Sequence, residues 1–178
     1  EMGATDRKVD LVEEGIDCVI RVGELSSSNL IAKKLGHFKF IICASPKYID
    51  QYGLPANHNE MQDHWAVNYL STPNNKKEVW NLYRNDKNYR IKMHSRISVN
   101  HAESYIECAI AGLGLIQIPE FDVRDHINQG RLVRVLSQYE INSLPVYALY
   151  PHREYVPKTV RSFIEWTESL LENSLSKT

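Results

Sequence analysis

Apolar residues fall in two rhythms along this chain, short continuous runs and helical stripes, and the two alternate. Val9, Val12 and Ile16 recur at helical spacing with Leu11 beside them. With Thr5 as N-cap and Asp6 in the first turn, they predict a helix over Asp6–Glu14, stopped by Gly15. Ile16–Val22 is nearly all apolar and predicts a strand covered on both faces of a parallel sheet. Leu30–Leu35 and Phe38–Ala44 predict two more extended runs. Ser45-Pro46 opens a helix that ends at Gly53, proline being tolerated where its missing N–H costs little. Trp65–Leu70 reads as a strand, and Val79–Arg84 with Tyr89–Met93 as a hairpin across Asn85, Asp86 and Lys87.

The second half keeps the alternation. After a short strand at Ile97–Val99, Asn100 and Glu103 have the spacing of a capping box. Ala102, Tyr105, Ile106, Ala109 and Ile110 form an apolar stripe that ends at Gly112. Leu113–Ile118 predicts a buried strand, Glu120–Asn128 a helix stopped near Gly130, and Leu132–Leu136 and Pro145–Tyr150 two further strands. The last helix opens at Pro157 and carries Val160, Phe163, Ile164, Thr167 and Leu171 along one face. Strands alternating with helices define an α/β protein with largely parallel sheets. Such sheets hold ligands beyond the carboxyl ends of their strands, which directs attention to Arg21, Ser71, Asn100 and Pro119.

Composition narrows the function classes. A chain of 178 residues makes one domain or two small lobes. Its 21 basic and 22 acidic side chains leave a net charge of −1, which argues against a domain that grips nucleic acid by itself. Cys18, Cys43 and Cys108 are odd in number, lie in apolar runs and include no CxxC pair, so they read as buried reduced thiols. No apolar run approaches the ~18 residues of a membrane span, and no secretory leader is recognisable. Glu1-Met2-Gly3 reads as the end of a strand running into a turn, with residues expected upstream.

The chemistry-bearing motifs are mostly missing. The seven histidines form no HExxH or paired ligand spacing, so no metal is expected. The eight glycines form neither GxGxxG nor GxxxxGK[ST], and no cofactor is called for. No GxSxG elbow exists, and Glu13-Glu14 is a solvated helix face, so no catalytic residue is assigned. Cys43, beside the Ser45-Pro46 helix start, is the one cysteine whose position suggests a nucleophile. Arg21 stands apart, because a cation near the end of an apolar strand needs a partner. It either pairs with an acid such as Asp17 or Glu24, or faces a cleft and awaits an anion. The helix start at Asn100 is a cap that can also receive a carboxylate.

Taken together, DLVEEGIDCVIRVGEL, SSNLIAKKLGHFKFIICASPKYIDQYG and VNHAESYIECAIAGLGLIQIPEF resemble the effector-binding domain of LysR-type transcriptional regulators. The resemblance runs from Glu1 to about Leu171. It implies a periplasmic-binding-protein-like (type II) α/β fold with two small Rossmann-like lobes joined by two crossovers. Lobe I would comprise 1–44 with 146–178 and be incomplete, lacking its first strand and helix; lobe II would comprise 45–145. The family's effector contacts would fall on Ala4 and Thr5, on Arg21 and Gly23, on Ser71 and Thr72, and on Asn100 and His101.

The resemblance further implies a small metabolite, expected to be anionic, bound between the lobes. It implies a homodimer or higher homo-oligomer in which helix Asp6–Glu14 of one chain faces helix His101–Ala111 of another. DNA would be contacted only through an absent N-terminal winged helix-turn-helix domain, in the cytoplasm and without membrane association. Two other classes stay open: a solute-binding protein for uptake, which shares the architecture, and an enzyme on this fold. The unpaired cysteines and missing leader argue against the first, and the lack of a paired acid and base against the second.

Overall fold

The computed structural model describes residues 2–3, 9–25, 29–70, 79–151 and 156–175. In chain order its elements are β1 (Val19–Val22), β2 (Leu30–Phe38), β3 (Phe40–Ala44), α1 (Pro46–Tyr52), a 3₁₀ turn (Glu60–Asp63), β4 (Trp65–Tyr69), β5 (Trp80–Arg84) and β6 (Lys87–Ile91). There follow β7 (His94–Val99), α2 (Ala102–Ile110), β8 (Ile116–Pro119), α3 (Glu120–Asn128), β9 (Val133–Val135), β10 (Leu144–Pro151) and α4 (Lys158–Leu175). These elements divide between two compact units. One is built on Lys39–Asn142, the other on Lys8–Phe38 and Ser143–Thr178.

The Lys39–Asn142 unit is a sheet with an apolar layer on each face. β3 runs antiparallel to β8 on one side and to β9 on the other. β4 and β7 are parallel, with Tyr69 opposite Val99. The residue before β8 ties the two sets together, because Leu115 bridges Ala66 in parallel through bonds of 2.8 and 3.0 Å to Trp65 and Val67. Alternate β3 side chains then enter opposite cores. Ile42 and Ala44 pack with Tyr48, Trp80 and Leu82; Ile41 and Cys43 pack with Tyr105, Ala109 and Val123. Burial on both faces is why FIICA reads as an unbroken apolar run.

The other unit is smaller. β10 lies between β1 and β2 and is antiparallel to both. α4 covers this sheet, setting Val160 and Ile164 against Ala148 with Cys18, Ile20 and Leu35 around them.

Several local expectations are met. Ser45 caps α1, accepting from the Tyr48 amide at 3.3 Å, and Gly53 ends it with its N–H on the Ile49 carbonyl. β5 and β6 form the expected hairpin, but its second arm starts at Lys87 and ends at Ile91 instead of running from Tyr89 to Met93, so the turn is Asn85 and Asp86 alone, with φ of 50° and 60°. α3 spans the range its pattern predicts.

Three expectations are corrected. The sheets are not largely parallel: among the described pairings only β4–β7 and the Ala66–Leu115 bridge are parallel, because β3 and β10 each run against both neighbours. The described part of the helix expected over Asp6–Glu14 is a single turn at Leu11–Gly15. There the Asp10 carboxylate accepts from the amides of Val12 and Glu13, and Ile16 closes back on the Leu11 carbonyl at 2.8 Å. Finally, β1 starts at Val19 instead of Ile16, whose amide belongs to that turn.

Candidate functional site

Arg21 and Gly23 lie at the end of β1. Arg21 stands opposite Tyr147 of β10 and is half-buried. Neither Asp17 nor Glu24 pairs with it, and among the described residues it has no ion-pair partner. Gly23 follows with φ of 104°, a left-handed conformation that side chains disfavour, and its N–H donates to the Pro145 carbonyl at 2.8 Å. The strand is thus pinned to β10 through its last residue and the backbone then turns sharply.

Asn100 and His101 lie at the carboxyl end of the parallel β4–β7 pair. The two strands finish together, and the Leu70 amide donates to the Val99 carbonyl at 2.8 Å. Asn100 is not the cap of α2. The strand conformation of β7 persists to Val99, the helix begins at Ala102, and His101 occupies the N-cap position with φ −134° and ψ 133° and no side-chain capping bond. Glu103 therefore sits in the first helical turn without forming a capping box with Asn100. Its charge still suits the positive end of the helix dipole. Ala4, Thr5, Ser71 and Thr72 lie outside the described residues. Arg21 and Gly23 are thus neighbours within one unit, and Asn100 and His101 within the other.

Sequence reasoning missed a polar pair just inside the same strand ends. Asn68 is 8% exposed and its amide donates to the Ser98 hydroxyl at 3.3 Å. The clue was present, since Asn68 is the one amide side chain inside the buried run WAVNYL. A second buried polar group, His64, is 6% exposed. Its Nδ1 lies 3.0 Å from the Tyr48 hydroxyl, which also accepts from the Trp65 amide at 2.9 Å. Burial lowers the His64 pKa below its ordinary value, against the opposing pull of Asp63 and Glu60.

The thiols are poor nucleophiles. Burial pushes Cys43 up to about 12. Burial, helped by Asp17, pushes Cys18 to about 11. Burial and Glu107 also raise Cys108. A thiolate is the reactive form, so the position of Cys43 beside a helix start does not activate it. Among the described residues no group of three His, Cys, Asp or Glu side chains is placed to hold a metal ion. No helix among them is long and apolar enough to cross a membrane.

The chain thus holds two α/β units, with Arg21 and Gly23 at a strand end of one and Asn100 and His101 at a strand end of the other. The family model described as the LysR substrate binding domain matches residues 1–172, and the chain belongs to that family. It is 32% identical over 175 residues to the uncharacterized HTH-type transcriptional regulator YhjC of Escherichia coli K12, covering 98% of this chain and 58% of that protein. The full-length Vibrio cholerae virulence activator AphB superposes with a TM-score of 0.73 at 29% identity, over 89% of this chain and 53% of that one. The regulatory domain of CrgA from Neisseria meningitidis gives a TM-score of 0.78 at 25% identity, over 90% and 78%. The chain thus spans about half the length of the full-length relatives it matches. Those relatives are transcriptional regulators, neither uptake proteins nor enzymes.

Proposed function

We propose that this chain is the sensing part of a longer, cytoplasmic transcriptional regulator. It binds a small metabolite, expected to be anionic, and self-associates as a homodimer or higher homo-oligomer, while sequence-specific DNA contact is made by a helix-turn-helix domain elsewhere in the longer protein. The contacts are assigned to Ala4, Thr5, Arg21, Gly23, Ser71, Thr72, Asn100 and His101. One observation carries the reading: Arg21, half-buried at the end of a strand, has no acidic partner among the described residues. A guanidinium so placed offers donors in a fork that matches a carboxylate. The chemistry is selection among conformations, since a ligand shifts an equilibrium only by binding one state better than another.

The test uses a metabolite found by thermal shift across a library of organic acids. Calorimetry with Arg21→Ala is expected to show affinity reduced at least tenfold, about 1.4 kcal/mol, with unfolding unchanged. Unchanged affinity would sink the assignment.

A further inference from the structure

The net charge of −1 hides a strong segregation. Trp80–Arg96 carries five of the chain's 21 basic side chains, Arg84, Lys87, Arg90, Lys92 and Arg96, and only one of its 22 acids, Asp86. That segment is +4 and the remainder of the chain −5. All five cations are exposed. Among the described residues none is paired with an acid.

Strand geometry sorts them: Arg84 and Lys87 pair at the hairpin end on the parity of Trp80 and Leu82, while Arg90 falls on the other face. In the β5–β6 hairpin, Trp80 opposes Ile91 and Leu82 opposes Tyr89, and this face enters the core. The other face therefore carries Asn81 opposite Arg90 and Tyr83 opposite Asn88. The alternation continues beyond β6: Lys92, His94 and Arg96 are exposed while Ile91 and Met93 are buried. Exposed Arg90, Lys92, His94 and Arg96 thus alternate with buried Ile91 and Met93 and half-buried Ser95 along the chain. Arg96 is stiffened by lying 3.9 Å above the Trp65 ring. The Tyr83 hydroxyl accepts amide bonds from Asn88 and Asn142, fixing polar groups beside the cations. Glu140, bridged to Tyr83, is an acid at this face.

We propose that this face is a secondary, sequence-independent contact for the phosphate backbone of duplex DNA. The inference rests on the regulator reading above. Phosphate backbones are gripped by arginine and lysine with amide and tyrosine side chains between them, which is the composition of this face. The charge is too modest for tight binding by the domain alone. In a longer regulator already held on DNA, a weak contact suffices, because tethering raises the effective concentration to the millimolar range. The face then adds to the grip of the DNA-binding domain and lets the sensing domain bias the path of the duplex.

The test is fluorescence anisotropy of a random-sequence duplex of about 30 base pairs titrated with the 178-residue chain at 50 and 200 mM salt. Binding is expected in the 10–100 μM range at the lower salt, with a log–log salt slope of about −3, as for three to four neutralised phosphates. Arg90→Glu with Lys92→Glu is expected to lower affinity at least tenfold, and Glu140→Gln to raise it two- to threefold. A control of equal charge change in the other unit, Lys34→Glu with Arg161→Glu, is expected to change it less than threefold. Matching far-UV dichroism and unfolding midpoints would show that the variants fold alike. No binding at low salt, or an equal loss in the control pair, overturns the proposal. So does competition by polyglutamate as strong as by DNA at equal charge, which would assign the face to an acidic polypeptide. None of these outcomes bears on the Arg21 experiment, which reads metabolite affinity.

Discussion

Gly114 stands where no larger residue fits. A Cβ there would lie 2.8 Å from the Ala66 carbonyl carbon, the Trp65 oxygen and the Val67 nitrogen, all backbone atoms of β4 that cannot swing aside. The close approach lets Leu115 bond to Trp65 and Val67 and so join the β4–β7 pair to the rest of the sheet. Gly114→Ala is expected to destabilise the domain by about 2–3 kcal/mol in urea unfolding, the scale of overpacking in a tight core. His64 makes the second residue-scale prediction. Its pKa is held below the ordinary 6.5, so between the two values the unfolded chain binds more protons than the folded one. Stability from this group is complete above pH 6.5, falls as pH drops below it, and levels off beneath the folded pKa. Unfolding midpoints from pH 7.5 to 5 should show this loss, and His64→Gln should flatten the part of it due to this group. Arg21 was legible as a residue needing a partner, because its neighbours in CVIRV are apolar. Its lack of a described acid was not legible, since Asp17 and Glu24 stand close by in sequence.

Helix and turn boundaries follow local chemistry where that chemistry is unopposed. Ser45-Pro46 and Gly53 mark the ends of α1 because capping and left-handed stops act within one turn of backbone. The helix start at α2 was misplaced because β7 has its own claim on the chain: pairing with β4 holds Val99 extended and moves the cap to His101. The turn at Leu11–Gly15 was mistaken for a helix because one turn closed by Asp10 shows the same i, i+3 apolar spacing as a longer one. The β5–β6 hairpin gives a prediction at this scale. Asn85 and Asp86 both hold positive φ, as a type I′ turn requires, and glycine is the residue best suited to the second position. Asp86→Gly is expected to stabilise the domain by about 0.5 kcal/mol in thermal unfolding, the relief of left-handed strain exceeding the entropy lost on folding.

At the scale of the whole molecule, self-association is the open prediction. Sedimentation at high protein concentration is expected to show dimers or larger species, and monomer alone would remove the homo-oligomer from the proposed function. The residue pattern by itself determined which stretches are buried, the order of most elements, the ends of α1 and α3, and the family, because burial on two faces, capping and turn formation are written in short runs of neighbours. The DLVEEGIDCVIRVG and AIAGLGLIQIP runs are of this kind. Only the tertiary structure decided strand direction. An apolar run such as FIICA is the same whether its neighbours are parallel or antiparallel, and β3 and β10 took antiparallel partners from residues more than 70 positions away in β8, β9 and β1. The same holds for the basic face. Its charges are spread through Trp80–Arg96 and diluted to −1 over the chain, and Arg90, Lys92 and Arg96 are turned outward together only by the alternation of buried and exposed positions that runs from β6 into β7.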